Sequence, residues 1–171
     1  MAFHFNSNLS SPRQYFREEG VENFSPNDGA SSQYFLIQQT AQQLASQQGV
    51  PVANFFLGRC FDTGEGVAQN PTLAAEYYHA AAEAGMAEAQ HNLACCFLNA
   101  EGVTADLRVA LQYFVAAAKQ GYAPAIYNIG SIMERKDPQR AAKYYLRAAH
   151  KGHAEAFYCL GCMCDNGAGV K

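Results

Sequence analysis

Small and apolar residues recur at helical spacing from residue 50 to the end of the chain, in pairs of segments joined by short polar turns. In one first segment these residues are Ala53, Leu57, Gly58 and Phe61. They are one, three or four residues apart, which places them on one face of an α-helix. The pattern therefore predicts a succession of amphipathic helices.

The whole pattern repeats along the chain. The stretch LGRCFDTGEGV at 57–67 returns as LACCFLNAEGV at 93–103 and LGCMCDNGAGV at 160–170. The glycines that close the units are spaced 36, 36 and 31 residues apart, at Gly49, Gly85, Gly121 and Gly152. A period of this length is typical of solenoids built from stacked supersecondary units.

The second segment of each unit places aromatic residues among small ones. Its members are Ala74, Tyr77, Tyr78, Ala81 and Ala82, then Ala110, Tyr113, Phe114, Ala117 and Ala118, then Ala141, Tyr144, Tyr145, Ala148 and Ala149. Small residues let two helices approach, and aromatic rings fill the space between them. Each unit is therefore predicted to be a pair of packed helices.

Helix start and stop signals agree with this division. Asn70, Asp106 and Asp137 stand at equivalent positions before the second segments, where a side-chain oxygen can accept a hydrogen bond from a free backbone N–H. Pro71 and Pro138 follow at the first helical position, which suits proline. The glycines that close the units suit a left-handed C-terminal cap, because they carry no Cβ.

With first helices of the form ALAxxLG, a GxGV turn and second helices of the form AxxYYxxAAxxG, the chain resembles Sel1-like repeats. The resemblance covers about residues 50 to 171 and implies an all-α fold, a right-handed α-α superhelix of helix pairs related to tetratricopeptide repeats. Two departures stand out. Ala100 replaces the first turn glycine of the second repeat, and the third repeat is five residues shorter, with MERKDP in place of the GxGV turn.

The resemblance and the glycine period together divide the chain. Residues 1–31, rich in Ser, Asn, Pro and Gly, are predicted to form a flexible tail or to order on a partner. The solenoid is predicted over 32–171, with a capping helix at 32–49, repeats at 50–85, 86–121 and 122–152, and a partial repeat at 153–171.

The partial repeat is expected to leave an open C-terminal edge. Phe157, Leu160 and Cys164 lie where the second helix of a complete unit would cover them. Solenoid ends need cover for their apolar faces. Three possibilities stay open: a longer full protein, a partner at this edge, or self-association through it.

Composition argues against several classes of partner. A formal net charge of -3 and a pI near 5.9 give no broad basic surface for nucleic acid or anionic lipid. No apolar run approaches the roughly 20 residues that a membrane-spanning helix needs. The N-terminus lacks a secretory signal pattern, so a cytoplasmic protein is expected.

Candidate chemistry is weak. Gly64, Glu65 and Gly66 recur between two helices and lack the lysine of a phosphate-binding loop, so they are interpreted as a turn. The six cysteines all fall in first helices and are expected to be free thiols, with a disulfide or a metal site at Cys159 and Cys162 as minor alternatives. No catalytic constellation is recognisable, and no enzyme activity or cofactor is expected.

Binding is the function that the repeat favours. In the arrangement implied by the resemblance, first helices line the concave surface and equivalent residues stack from one repeat to the next. The predicted groove residues are Phe55, Arg59, Asp62, His91, Asn92, Cys95, Tyr127, Asn128, Ser131, Tyr158 and Cys162. Aromatic residues offer rigid contact area, and Asn92 and Asn128 could clamp a peptide backbone or only satisfy neighbouring groups.

The predicted function is therefore a non-catalytic protein-interaction module, an adaptor or an assembly scaffold that binds a protein segment in this groove. The alternative is a structural subunit held permanently in a larger complex through the exposed solenoid ends.

Overall fold

The computed structural model describes Leu36, residues 39–43 and residues 50–168 of the chain. Between Pro51 and Asp165 it contains only helices, with no strand among the described residues. The helices are α1 Pro51–Thr63, α2 Pro71–Glu83, α3 Ala87–Asn99, α4 Leu107–Lys119, α5 Ala123–Glu134, α6 Pro138–His150 and α7 Ala154–Asp165.

The helices pack in pairs that follow chain order. The largest interfaces join α1 to α2, α3 to α4, and α5 to α6, and smaller ones join each pair to the next. Each repeat thus consists of a first helix and a second helix, with α7 as the first helix of a fourth unit. This arrangement confirms the predicted all-α solenoid of helix pairs.

In the first and third helix pairs an aromatic ring of the second helix lies against a glycine of the first helix. Tyr78 and Tyr145 are almost completely buried. A Cβ atom built on Gly58 would lie 2.6 Å from Tyr78 Cδ1, and one built on Gly130 would lie 2.9 Å from Tyr145 Cδ1. Glycine is required there because the ring occupies the space of a side chain, and burying such a ring stabilises the fold by about 1.5–3 kcal/mol.

The second helices begin at side-chain caps, as predicted. Asn70 Oδ1 accepts a hydrogen bond from Leu73 N at 3.1 Å, and Asp137 Oδ1 accepts one from Arg140 N at 3.0 Å. Asp106 Oδ1 accepts two, from Arg108 N and Val109 N at 2.8 and 3.1 Å. The first helices have no side-chain cap, and the residues that precede them are Val50, Met86, Tyr122 and His153.

The turns between the two helices of each repeat show how the chain accommodates Ala100 in the second repeat and the shorter third repeat. Gly64 ends α1 in the left-handed conformation with φ 74°, and Ala100 takes the same role after α3 with φ 61°. The second repeat therefore keeps the turn and accepts a strained alanine. In the third repeat α5 ends without a left-handed residue, and only residues 135–137 separate it from α6.

The predicted N-terminal segments lie mostly outside the described residues. The tail at 1–31 is not described, and of the capping helix predicted at 32–49 only Leu36 and residues 39–43 are, all of them helical. Ala41 is buried in the same apolar cluster as Ala53 and Leu73. In the described part of the chain no helix is both long and apolar enough to span a bilayer.

Candidate functional site

The predicted groove residues lie on the first helices, in rows that run from one repeat to the next. One row contains Phe55 on α1, His91 on α3, Tyr127 on α5 and Tyr158 on α7. The first three are half-buried, whereas Tyr158 is 75% exposed. The row therefore changes from aromatic groups that pack within the fold to one that stands in solvent.

A hydrogen-bond network joins the groove residues of the second and third repeats. Asn128 Nδ2 lies 3.1 Å from His91 Nε2, and His91 Nδ1 lies 3.1 Å from Asn92 Oδ1. An amide nitrogen can only donate, so His91 Nε2 accepts and His91 Nδ1 carries the proton that it donates to Asn92. Cys95 Sγ lies 3.8 Å from both His91 Nε2 and Asn128 Nδ2.

The environment of His91 favours this neutral form. The imidazole packs against the rings of Phe114 and Tyr122, with centroid distances of 5.7 and 5.3 Å. Burial lowers the pKa of His91, and the hydrogen bond to Asn92 opposes that effect in part. The network thus positions two asparagine side chains through a neutral histidine.

The network continues into the first repeat. Burial raises the pKa of Tyr78, and its polar contact with Asn92 lowers that pKa in part. Tyr78 donates in turn to Asp62 Oδ2 at 3.0 Å. A polar chain therefore runs from Asn128 through His91, Asn92 and Tyr78 to Asp62.

The pairing of tyrosine with a carboxylate recurs in the third repeat, where the Tyr145 hydroxyl donates to Glu134 Oε2 at 2.7 Å. Glu134 and Asp62 hold equivalent positions on α5 and α1. In the second repeat both partners are apolar, Leu98 and Phe114. The hydroxyl and the carboxylate are thus present together or absent together.

Tyr127 packs at the boundary between the third and fourth units. Its ring stacks on the imidazole of His153 with a centroid distance of 4.6 Å and lies 5.4 Å from the ring of Tyr145. Its hydroxyl lies 3.8 Å from Cys159 Sγ. Burial is the main cause that raises the pKa of Tyr127, and the contact with Cys159 adds to it.

Among the described residues, Arg59, Ser131 and Cys162 make no hydrogen bond to the members of this network. Arg59 and Ser131 are exposed, and Cys162 is half-buried on α7. They line the same side of the first helices because they are one helical turn beyond the row of Phe55 and His91.

The six cysteines are free thiols, as predicted. Cys60 and Cys96 are buried, Cys164 is exposed, and the other three are half-buried. Burial raises the pKa of Cys95 to about 11 and that of Cys96 to about 12, so both stay protonated at neutral pH. The described residues contain no group of three or more His, Cys, Asp or Glu side chains that could hold a metal ion.

The residues predicted to form an open C-terminal edge lie on α7. Phe157 is 61% exposed, Cys164 is exposed and Leu160 is half-buried. The residues equivalent to Leu160 in the three complete repeats, Leu57, Leu93 and Ile129, are all buried. Gly161 is equivalent to Gly58 and Gly130, yet no heavy atom of the described chain lies within 4 Å of a Cβ built on it.

Sequence reasoning assigned Tyr78 and Tyr145 only to the core, and it missed their hydroxyl contacts with the groove carboxylates. A signal for these contacts is present in the aligned repeats, because tyrosine coincides with an acidic residue and phenylalanine with leucine. The stacking of His153 on Tyr127 has no comparable signal, because His153 stands in the link between two repeats.

Comparisons with known proteins agree with this architecture. A family model described as the Sel1 repeat matches residues 51–86, 87–122 and 123–153, each starting one residue after the period predicted from the glycines. No curated protein matches the sequence significantly.

The solved structures that are similar to the chain include two crystal structures. A Sel1 repeat protein from Oxalobacter formigenes is 30% identical with a TM-score of 0.70, over 83% of this chain and 62% of its own. A protective antigen present in uropathogenic Escherichia coli strains, which displays an SLR fold, is 28% identical with a TM-score of 0.73, over 92% of this chain and 33% of its own. The chain thus spans less than two thirds of each of these proteins.

Proposed function

The chain belongs to the Sel1 repeat family, whose members are generally non-enzymatic protein-interaction modules, and we propose that it is an adaptor or assembly scaffold. Its groove, formed by α1, α3, α5 and α7, binds an extended segment of a partner protein. Solenoids commonly use such a continuous surface for binding.

The polar chain from Asn128 to Asp62 is the observation that carries this proposal. An asparagine that is to bind a peptide backbone must be held in one orientation, so that little conformational entropy is lost on binding. The contact with His91 fixes the amide nitrogen of Asn128. Its carbonyl oxygen makes no hydrogen bond to the described residues and is the group that accepts from a backbone N–H of the partner.

The charge of the first helices indicates the chemistry of the bound segment. They carry five acidic residues and one basic residue, namely Asp62, Glu88, Glu134, Glu155 and Asp165 against Arg59. The exposed ring of Tyr158 adds apolar area at one end of the groove. A segment with apolar anchors and Lys or Arg residues complements both features.

The test is a selection of random linear peptides on the purified chain, followed by affinity measurement with fluorescence polarisation. We expect enriched sequences with aromatic or aliphatic residues and positive charge. Tyr158→Ala and Asn128→Ser should each weaken the best peptide about tenfold. Leu146→Ala, a truncation at a 50% exposed position of the second helix α6, is the matched control and should leave the affinity unchanged.

Two results would contradict the proposal that the groove binds a peptide. One is a selection that yields no saturable binder for a chain whose circular dichroism shows a folded helical protein. The other is equal weakening by Leu146→Ala and Tyr158→Ala, which would place the peptide elsewhere.

A second candidate function rests on α7. Phe157 is exposed and the space beside Gly161 is open among the described residues, and a structural subunit in which another protein or a second copy packs on α7 would use both features. Light scattering of the chain and of Leu160→Glu tests association through this edge. Wild-type association that Leu160→Glu abolishes supports it, whereas a stable wild-type monomer removes the case for self-association at α7.

A further inference from the structure

The second helices carry a gradient of charge along the solenoid. Alignment of α2, α4 and α6 by their closing glycines makes Glu76, Gln112 and Lys143 equivalent, and likewise Glu83, Lys119 and His150. Both rows are acidic in the first repeat and are no longer acidic in the second and third repeats. The side of the second helices that faces away from the first helices is called the outer face below.

The same gradient holds for the repeats as a whole. In the first two repeats, residues 50–121, acidic residues outnumber Lys and Arg by seven to three, and in the third repeat, residues 122–152, Lys and Arg outnumber acidic residues by six to two. The net charge of -3 hides this separation. The third repeat is therefore basic, although the chain as a whole carries a negative net charge.

An exposed apolar stripe lies between the two charged ends. Leu107, Leu111 and Val115 follow one another at intervals of four residues along α4. Leu107 is 48% exposed, Val115 is 39% exposed and Leu111 is half-buried. Residues four apart on a helix form a continuous row on its surface, so an apolar row runs along α4 beside the exposed Arg108 and Lys119.

The acidic side of the stripe also contains a cleft. It lies between α2 and α4, has a volume of about 430 Å³, and is lined by residues that include His79, Glu83, Gln112 and Tyr113. The Tyr113 hydroxyl donates to Glu83 Oε1 at 3.2 Å. A carboxylate beside an aromatic ring offers a site for a long cationic side chain.

We propose that the outer face is a self-complementary dimer interface that binds a second copy of this chain. A two-fold axis through the middle of α4 places the apolar stripe of α4 against itself. The same operation places α2 of each copy on α6 of the other, in opposite direction. The C-terminal Glu83 then meets the N-terminal Arg140 of the second copy, and Glu76 meets its Lys143.

The arrangement of charge favours a second copy over other occupants. A two-fold interface requires that each half of the surface complement the other half. The acidic residues of α2 and the basic residues of α6 satisfy this requirement, because rotation about the middle of α4 exchanges the two helices. Nucleic acid or an anionic membrane would meet repulsion at Glu76 and Glu83.

The acidic and basic sides can be tested separately with the full chain in sedimentation velocity experiments. Glu76→Lys with Glu83→Lys changes the acidic side, and Arg140→Glu with Lys143→Glu changes the basic side. Arg59→Glu with Arg135→Glu is the control for the basic variant. It makes the same change in net charge at exposed positions outside the outer face.

We expect a dimer of the wild type at about 0.1 M salt that weakens at about 1 M, where the Debye length falls from about 10 Å to about 3 Å. Each charge-reversed variant should raise the dimer Kd about tenfold or more. An equimolar mixture of the two variants should dimerise as the wild type does, because both contacts between α2 and α6 again join opposite charges. The control variant and Leu160→Glu should dimerise normally.

Several outcomes would overturn the proposal. The wild type could be monomeric at every concentration and salt level. The mixture of the two variants could fail to restore the dimer. The control variant could weaken dimerisation as much as the basic-side variant does. The proposal would also be overturned if the variant with Arg140→Glu and Lys143→Glu lost dimerisation while the variant with Glu76→Lys and Glu83→Lys kept it. That result would mean that an acidic surface other than α2 binds α6. Because the peptide-binding groove lies on the first helices, failure here leaves the proposed function intact.

Discussion

Asn128 on α5 donates a hydrogen bond from Nδ2 to His91 Nε2 on α3 at 3.1 Å, and this contact crosses from the third repeat to the second. It fixes the tautomer of the imidazole, which then donates from Nδ1 to Asn92 Oδ1. One neutral histidine thus joins the two asparagines that the sequence singles out as candidates for binding a peptide backbone.

Stability should depend on pH through His91. Burial lowers its pKa below the ordinary value of 6.5, so the unfolded chain takes up a proton at a higher pH than the folded chain. The stabilising contribution is complete above about pH 6.5 and declines as the pH falls. We expect the free energy of unfolding to decrease more steeply between about pH 7.5 and 5.5 in the wild type than in His91→Gln.

Urea unfolding at several pH values measures this difference. His91→Gln should also cost about 1–3 kcal/mol near neutral pH, because the hydrogen bonds of two half-buried asparagines lose their partner. His150→Gln, at an exposed position, is the control and should retain the wild-type slope. If the free energy of unfolding changed with pH in the same way for wild type and His91→Gln, the result would contradict the presence of a neutral, buried histidine at position 91.

The close approach of rings to glycines predicts opposite effects of one substitution at two sites. Gly58→Ala would place a methyl group 2.6 Å from Tyr78 Cδ1, and we expect it to destabilise the fold by about 1–3 kcal/mol. A methyl group at Gly161, in the middle of α7, would have no heavy atom of the described residues within 4 Å apart from its own turn of helix. Gly161→Ala should stabilise the chain by up to about 1 kcal/mol, because alanine favours a helix over glycine.

Denaturant unfolding of both variants provides the measurement, with helix content checked by circular dichroism. Equal and small effects at the two positions would show that the ring of Tyr78 moves away at little cost. Destabilisation by Gly161→Ala would instead indicate that another group occupies the space beside α7 in solution.

The apolar pair of the second repeat predicts a coupling between Asp62 and Tyr78 in the first. Tyr78→Phe removes the hydrogen bond to Asp62, and we expect a loss of about 1 kcal/mol. Asp62→Leu together with Tyr78→Phe recreates the pairing of Leu98 with Phe114. A double-mutant cycle measured by urea unfolding should show a coupling energy of about 0.5–1 kcal/mol, and strict additivity would mean that the pair contributes no interaction.

Thiol reactivity should follow burial. We expect iodoacetamide to modify Cys164, which is exposed, well before the buried Cys60 and Cys96. Cys95 should also react slowly, because burial raises its pKa to about 11 and the thiolate is the reactive form. Mass spectrometry of native and denatured chain gives the order, and early modification of Cys96 would contradict the packing of α3 against α4.

The sequence alone was sufficient to predict the repeat architecture. The helix pairs follow from the spacing of small and apolar residues, and Asn70, Asp106 and Asp137 lie at the predicted caps. These features are local or periodic, so neighbouring residues in the chain determine them. The free thiols and the turn at Gly64 were predictable for the same reason.

The period also fixed which residues share a row, and therefore that His91 and Tyr127 stand in equivalent positions. It did not show that Asn128 reaches back to His91, that His153 stacks on Tyr127, or that Tyr78 binds a carboxylate. Each of these contacts joins residues separated by at least 16 positions. Such contacts depend on the distance between packed helices and on side-chain rotamers, which only the tertiary structure determines.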